Sequence, residues 1–96
     1  MDANPQSQKP PGEVPVYNCL VLLSPPDAEG YLAARCSNLP EVAERGKSRR
    51  EALAKVVAAF KAAVARYSAE GRAVPFAAEP LEPAPGEQQL WIAVHL

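Results

Sequence analysis

The residues of this chain that could carry out chemistry are few and lie far apart in the sequence. There is one histidine, His95, and the five glycines are scattered and form no phosphate-binding loop. A hydrolytic site needs a nucleophile held beside a base, and the sequence places no such partner near His95. We therefore predict no catalytic residues and expect that the protein is not an enzyme.

The cysteines and the carboxylates predict neither a metal site nor a cofactor site. Two cysteines, Cys19 and Cys36, are too few for a zinc site without a second pair or a histidine cluster. Outside the short run 41–45, which contains Glu41 and Glu44, no two carboxylates fall within one predicted strand, where a metal-dependent nuclease would hold them rigidly. If Cys19 and Cys36 face each other, they form either a redox switch or two small buried thiols. We favour buried thiols.

A short basic cluster comprises Arg45, Lys47, Arg49 and Arg50. These side chains are possible anion or RNA contacts, but the net charge of −1 argues against a phosphate-coated main ligand. The aromatic residues also fall mostly at predicted core positions, and do not alternate with the basic ones on an open sheet. A solvated loop and helix start is the favoured interpretation, and a weak RNA binder remains an alternative.

One helix organises the chain and extends from Ser48 to Gly71. Ser48 and Glu51 have the spacing of a capping box, and Gly71 is suited to the left-handed conformation that ends many helices. Between them, apolar residues recur at steps of three and four, which predicts one buried stripe. That stripe consists of Leu53, Val57, Phe60, Val64 and Tyr67, widened by Val56 and Ala63.

Three short apolar runs predict strands at residues 16–23, 31–36 and 90–96, and the charged segment 41–45 could form a short additional strand before the helix. The fold class is therefore α+β, in the order β-β-β-α-β, with one helix packed on one face of a small sheet. A symmetric first hairpin places Leu23 opposite Leu32 and Cys19 opposite Cys36. If the last strand lies beside the first and runs parallel to it, the crossover should be right-handed.

The rest of the chain predicts a simple domain organisation. Residues 1–15 are rich in Pro, Gln and Ser and are expected to be a disordered tail. Residues 16–96 are expected to form a single domain, in which a stiff Pro-rich connector, 74–89, leads to the last strand. No leader peptide and no apolar run long enough for a membrane span is visible, so we expect a cytoplasmic protein without a membrane partner.

The first strand is apolar on both faces, although one helix covers only one of them. The second face is expected to stay uncovered and to present Leu20, Leu22, Tyr31 and Trp91. Monomers rarely leave so large an apolar patch in water. We therefore predict an oligomer or partner surface at these residues, and a homodimer or homotetramer.

Residues 17 to about 67 resemble the HicB-like antitoxin domain. The family pattern is a Tyr-led strand, an acidic turn ending in Gly, Tyr-x-Ala, a Leu-Pro loop and a Gly-x-Ser-x-x-Glu-Ala helix entry. The chain has the same order and spacing at Tyr17, Asp27 to Gly30, Tyr31 with Ala33, Leu39 with Pro40, and Gly46 to Leu53. In this pattern Gly46 is expected to permit the turn into the helix.

The resemblance implies a truncated ribonuclease-H-like fold without nuclease chemistry. It also implies a role in a type II toxin–antitoxin system, in which the antitoxin binds and masks HicA, a small mRNA-cleaving toxin. The C-terminal DNA-binding domain that many family members carry is expected to be absent, because the sequence stops after the last strand. The alternative is an orphan, self-associating domain of the same family with another partner.

Overall fold

The structure, a computed structural model, describes residues 16–96. They form a four-stranded antiparallel sheet with one helix packed on it, which confirms the predicted α+β class and the β-β-β-α-β order. The sheet order is β3-β2-β1-β4. The elements are β1 (Val16–Leu23), β2 (Leu32–Cys36), β3 (Ala43–Gly46), α1 (Arg49–Ala69) and β4 (Gln88–His95). The predicted disordered tail, 1–15, lies outside the described residues.

Both ends of α1 are capped as the sequence predicts. The Ser48 hydroxyl accepts a hydrogen bond from the Glu51 amide at 3.0 Å, and the Glu51 carboxylate accepts one from the Lys47 amide at 2.6 Å. At the other end Gly71 has φ +69°, and the amides of Gly71 and Arg72 donate to carbonyls of the last turn. These bonds satisfy backbone groups that the helix itself leaves unpaired.

The buried side of α1 is rotated slightly from the predicted stripe. The helix packs mainly over β2 and β3. Leu53 and Val57, which the spacing placed at the centre, are consequently only partly buried, as are Leu90 and Ile92 of β4. The buried helix residues are Ala52, Val56, Phe60, Ala63, Val64 and Tyr67.

Position 46, at the end of β3, requires a glycine because there is no room for a Cβ atom, and not because the backbone is left-handed there. The φ of Gly46 is not among the positive values, which among the described glycines belong to Gly30, Gly71 and Gly86. A Cβ atom at Gly46 would lie 2.4 Å from the Ala52 backbone nitrogen. The expectation that Gly46 permits the turn is therefore replaced by a steric reason, because the first turn of α1 lies directly against β3.

The predicted symmetric register of the first hairpin was wrong. The observed pairing of β1 with β2 is shifted from it by two residues. Leu23 lies opposite Ala34, and not opposite Leu32. The Asp27 carboxylate accepts hydrogen bonds from the amides of Glu29 and Tyr31, both at 2.9 Å, so Tyr31 belongs to the turn. A shift of two leaves every side chain on its predicted face, because side chains alternate with a period of two.

The last strand lies beside β1 but runs antiparallel to it, along the full length of both strands from Val16–His95 to Leu23–Gln88. A right-handed crossover was expected only for a parallel last strand, so it does not occur here. Because α1 ends at the opposite end of the sheet from Gln88, the segment between them has to travel back along the sheet. We call residues 74–87 the connector.

The connector begins on the α1 side, where Val74 packs against the core and the Phe76 ring lies 6.2 Å from the ring of Phe60. Its later part lies on the outer face of the sheet, which is the face away from α1. The amide of Ala77 donates to the Asn38 carbonyl at 2.9 Å, and the amide of Leu81 donates to the Ser37 carbonyl at 3.1 Å. These bonds hold the connector to the loop that follows β2. The outer face that the sequence left open is therefore covered, over β1, by the chain itself.

The burial of Leu20 and Leu22 follows from this cover. Leu20 is 7% exposed and Leu22 is fully buried, although neither belongs to the core cluster beneath α1. The expectation that these two residues lie on an uncovered face was wrong. Their apolar character is explained by packing within the chain.

An ion pair fixes the far end of the connector. Arg35, which points outward from β2, donates from Nη2 and Nε to the two carboxylate oxygens of Glu87 at 2.8 and 3.0 Å. The Glu87 carboxylate also accepts the Ala84 amide at 2.7 Å. The hydrogen bond from Arg35 is the main cause that lowers the pKa of Glu87 below its usual value.

We expect Glu87→Gln to lower the free energy of unfolding by about 1–2 kcal/mol at pH 7, because a bidentate charge-assisted pair is lost. A carboxyl with a lowered folded-state pKa contributes stability above its unfolded pKa, and this contribution is lost as the pH falls through the folded-state value. The difference between variant and wild type should therefore shrink in acid. Urea denaturation at pH 7 and pH 3 measures it.

The matched control is Glu82→Gln, which neutralises an exposed carboxylate of the same connector. It should change stability by less than about 0.5 kcal/mol. Equal losses for the two variants, or a Glu87→Gln loss that persists unchanged at pH 3, would contradict the proposed anchoring of the connector.

Candidate interaction surface

The structure assembles no catalytic group around His95. This residue ends β4 opposite Val16, and its side chain is exposed. Within residues 16–96 its ring has no hydrogen-bond partner, and no group of three or more His, Cys, Asp or Glu side chains could hold a metal ion. The described part of the chain therefore offers no geometry from which to derive a reaction.

The two cysteines lie close together in the core. Their sulfur atoms are 3.9 Å apart, and both residues are fully buried. The Cys36 thiol donates to the Asn38 side-chain oxygen at 3.0 Å. The hydrogen bond with Cys36, together with burial, raises the pKa of the Cys19 thiol. A neutral thiol without solvent access is a poor nucleophile, so this geometry agrees with two packed thiols.

The predicted anion or RNA contacts, Arg45, Lys47, Arg49 and Arg50, do not converge on one site. Arg45 binds the Asp27 carboxylate at 3.0 Å and lies over the ring of Tyr31, 4.6 Å from its centroid. Arg49 donates to the side-chain oxygen of Gln88. The side chains of Lys47 and Arg50 are exposed and contact no described residue through a hydrogen bond or ion pair. Half of the cluster is thus already engaged within the chain.

A shallow groove of about 550 Å³ lies along β2 and β3. Its charged residues include Arg35 and Arg45, which are already paired with Glu87 and Asp27. The lining contains no histidine, cysteine or serine. It consists of Ala33, Ala34, Arg35, Ala43, Glu44, Arg45 and Lys55. The groove therefore does not define a reactive pocket.

The two edges of the sheet differ in length and charge. The β3 edge has four residues and carries Glu44 and Arg45, whereas the β4 edge has eight residues and no Asp, Glu, Lys or Arg. Exposed edges are usually short, charged, bulged or interrupted by proline, since unpaired strand edges invite other chains. The β4 edge has none of these protections.

The backbone groups that β4 leaves unpaired can be identified from its partner strand. The Leu20 amide donates to Asn38 at 3.1 Å and its carbonyl accepts the Ser37 amide at 2.7 Å, so both groups of Leu20 point towards β2. Directions alternate along an antiparallel strand. The neighbours of Leu20 therefore bond β4, and their register partners are Gln88, Leu90, Ile92 and Val94. The intervening residues point their N–H and C=O groups to the free edge: Gln89, Trp91, Ala93 and His95.

The same four residues also form an open row of side chains on the outer face. Trp91 pairs with Leu20, so it shares the face of Leu20 and not that of the core. All four side chains are exposed, and Trp91, at 69%, is the most exposed large apolar residue of the described chain. We call Gln89, Trp91, Ala93 and His95 the outer stripe. It remains accessible beside the connector, at the β4 edge of the outer face.

The predicted partner surface of Leu20, Leu22, Tyr31 and Trp91 is thus not one surface. Leu20 and Leu22 are buried, as described above. Tyr31 lies at the turn beneath Arg45, whereas Trp91 lies beside the middle of β1. Of the four residues, only Trp91 stands on an accessible apolar edge.

Asn38 is a structurally important residue that the sequence did not single out. Its side-chain nitrogen donates to the Asn18 carbonyl at 2.9 Å, and its side-chain oxygen accepts from the Leu20 amide and the Cys36 thiol. It therefore continues the sheet pairing of β1 beyond the end of β2. An asparagine in a loop gives no local signal for this role, because its partners lie about twenty residues earlier.

These features define a small α+β protein with one long, uncharged and accessible sheet edge. Comparison with protein-family models, curated proteins and solved structures finds no match. The likeness to HicB-like antitoxins therefore stays a prediction from the motifs. None of the helices in the described range is long and apolar enough to cross a membrane.

Proposed function

We propose that this chain is a non-catalytic interaction module of the antitoxin type, which binds and masks a small HicA-type mRNA-cleaving toxin. The observation that carries the proposal is Trp91, which is 69% exposed on a strand edge without charges. The motif resemblance over residues 17–67 suggests the class of partner, and the outer stripe is the place where it would dock.

The physical argument rests on what an exposed tryptophan contributes to an interface. Aromatic side chains dominate the energetics of interfaces, and a central Trp anchor commonly contributes about 2 kcal/mol or more. Gln89 and His95 flank Trp91 with polar groups that remain available to a partner. The strand that carries Trp91 is paired with β1 along its full length, so little backbone entropy is lost on binding.

We expect Trp91→Ala to weaken toxin binding at least tenfold, because the aromatic anchor is lost, whereas Trp91→Phe should retain most of the affinity. Calorimetry with a catalytically inactive HicA-type toxin measures the change. Lys61→Ala, which alters an exposed position on α1, is the matched control and should bind as the wild type does.

The cellular version of the experiment tests the whole proposal. Co-expression of this chain should relieve the growth arrest caused by the toxin, and Trp91→Ala should relieve it less. If the wild-type chain neither binds the toxin nor relieves the arrest, the proposed function is wrong.

A further inference from the structure

We propose that a second copy of this chain pairs with the free edge of β4, antiparallel and about a two-fold axis at Ile92. Gln89 would then lie opposite His95 of the second copy, and Trp91 opposite Ala93 of the second copy. The inference deepens the proposed function and rests on it only in taking β4 as the interaction side. It does not require a toxin.

The first argument is the number of backbone bonds that this register forms. Four residues of β4 point N–H and C=O groups to the free edge, at positions 89, 91, 93 and 95. A two-fold axis at Ile92 matches each of them to one in the second copy, and four such pairs exchange two bonds each, or eight in all. An axis at Trp91 or at Ala93 pairs only three residues of each strand and leaves the fourth unsatisfied.

The second argument is the fit of the side chains on both faces. On the outer face, the large ring of Trp91 would lie beside the small methyl group of Ala93, and the Gln89 amide beside the His95 ring. On the inner face, Ile92 would meet its own copy, and Leu90 would meet Val94. Leu90 and Ile92 are only partly buried in the single chain, so this contact would remove apolar surface from water.

The third argument concerns which strand pairs with the free edge of β4, and it favours a second copy of this chain over a charged strand of another protein. The sequence of β4, QQLWIAVH, contains no acidic side chain, lysine or arginine, so self-pairing brings no such like charges together. The other edge, β3, is half as long and carries Glu44 and Arg45. Pairing at β4 would join two sheets into one of eight strands and place two Trp91 side chains on one outer surface.

The test is Ala93→Pro, which changes only the free side of β4. The Ala93 amide points away from β1, so proline removes no hydrogen bond within the chain, and edge strands accept proline there. Light scattering should give twice the 10.3 kDa chain mass for the wild type at tens of micromolar and the single mass for the variant. Ala93→Ser, which keeps the amide, should remain a dimer.

Circular dichroism checks that Ala93→Pro keeps the wild-type spectrum. If it does not fold, Trp91→Lys places charges at the seam instead and should weaken dimerisation at least tenfold. A monomeric wild type, or a folded Ala93→Pro variant that is still a dimer, would overturn the inference.

Cross-linking tests the register. Ile92→Cys should form a disulfide with its own copy under mild oxidation, because directly opposed residues at such positions have Cα atoms about 4.5 Å apart. Leu90→Cys should cross-link only when mixed with Val94→Cys. Cross-linking of Trp91→Cys with itself in place of Ile92→Cys would overturn the register. Wild type, whose Cys19 and Cys36 are buried, gives the background.

All these measurements are made without toxin, so the two proposals can fail separately. A dimer with the stated register that binds no toxin supports this inference and removes the proposed function. A monomeric wild type that binds toxin does the reverse.

Discussion

Gly46→Ala is expected to lower the free energy of unfolding by at least about 3 kcal/mol, or to prevent folding. The added Cβ atom would lie 2.4 Å from the Ala52 nitrogen, 2.8 Å from the Ala52 Cα and 2.9 Å from the Glu51 carbonyl carbon. All three are backbone atoms of the first turn of α1, so no side-chain rotation relieves the clash. Urea denaturation monitored by circular dichroism measures the loss.

The control for Gly46→Ala is Gly71→Ala. Gly71 has φ +69° but nothing within 4 Å of an added Cβ, so that variant pays only the conformational cost of a left-handed alanine, about 1–2 kcal/mol. The two variants therefore separate lack of space from backbone conformation. If Gly46→Ala were no more destabilising than Gly71→Ala, the close approach of β3 and α1 would not be a requirement of the fold.

Leu22→Ala is expected to cost about 2–5 kcal/mol, because Leu22 is fully buried and its truncation leaves a cavity between the sheet and the connector. Leu81→Ala removes the same atoms from a side chain that is 38% exposed, and should cost less than about 1 kcal/mol. Chemical denaturation of both variants, at a protein concentration low enough to favour the single chain, provides the comparison.

The Leu22 experiment also tests whether the connector acts as one unit with the sheet. Glu87→Gln loosens the connector at its far end, and Leu22→Ala empties the space beneath it. If both act through the same cover, the double variant should lose less than the two single losses added together. Strict additivity, or similar losses for Leu22→Ala and Leu81→Ala, would count against the connector as the cover of the outer face.

Packing of the connector has a consequence for interaction. By covering Leu20 and Leu22, it leaves Trp91 of β4 as the most exposed large apolar side chain of the described residues. Glu87 pairs with Arg35 immediately before β4 begins, so the anchor of the connector also fixes the start of that strand. A partner of any kind would therefore meet an edge that this ion pair anchors at its start.

Local features of this chain were readable without a structure. The first strand was predicted with the bounds that the structure has, Val16–Leu23, and the helix begins after Ser48 and ends before Gly71 as expected. Each of these signals acts within a few residues of sequence: the capping side chains bond neighbouring amides, and the prolines after Leu23 end the strand. Such determinants do not depend on what the rest of the chain does.

The pairing of distant segments was not readable in the same way. The register predicted for the first hairpin was wrong by two residues, because the Asp27 carboxylate closes an asymmetric turn. The direction of β4 depends on the path of the connector, whose sequence has no periodic pattern. The centre of the buried helix stripe also moved, because the position of α1 over β2 and β3 decides which apolar side chains are covered fully.

The outer face of the sheet shows most clearly what the sequence determines by itself and what depends on the tertiary structure. Successive side chains of a strand point to opposite faces, and β1 is apolar on both. The presence of Leu20 and Leu22 on the second face therefore determined, from sequence alone, that this face would also be removed from water. Only the tertiary structure decided that the chain's own connector covers them. The hydrophobic effect is not directional, so it requires burial but does not specify whether a distant segment of the same chain or another molecule provides it.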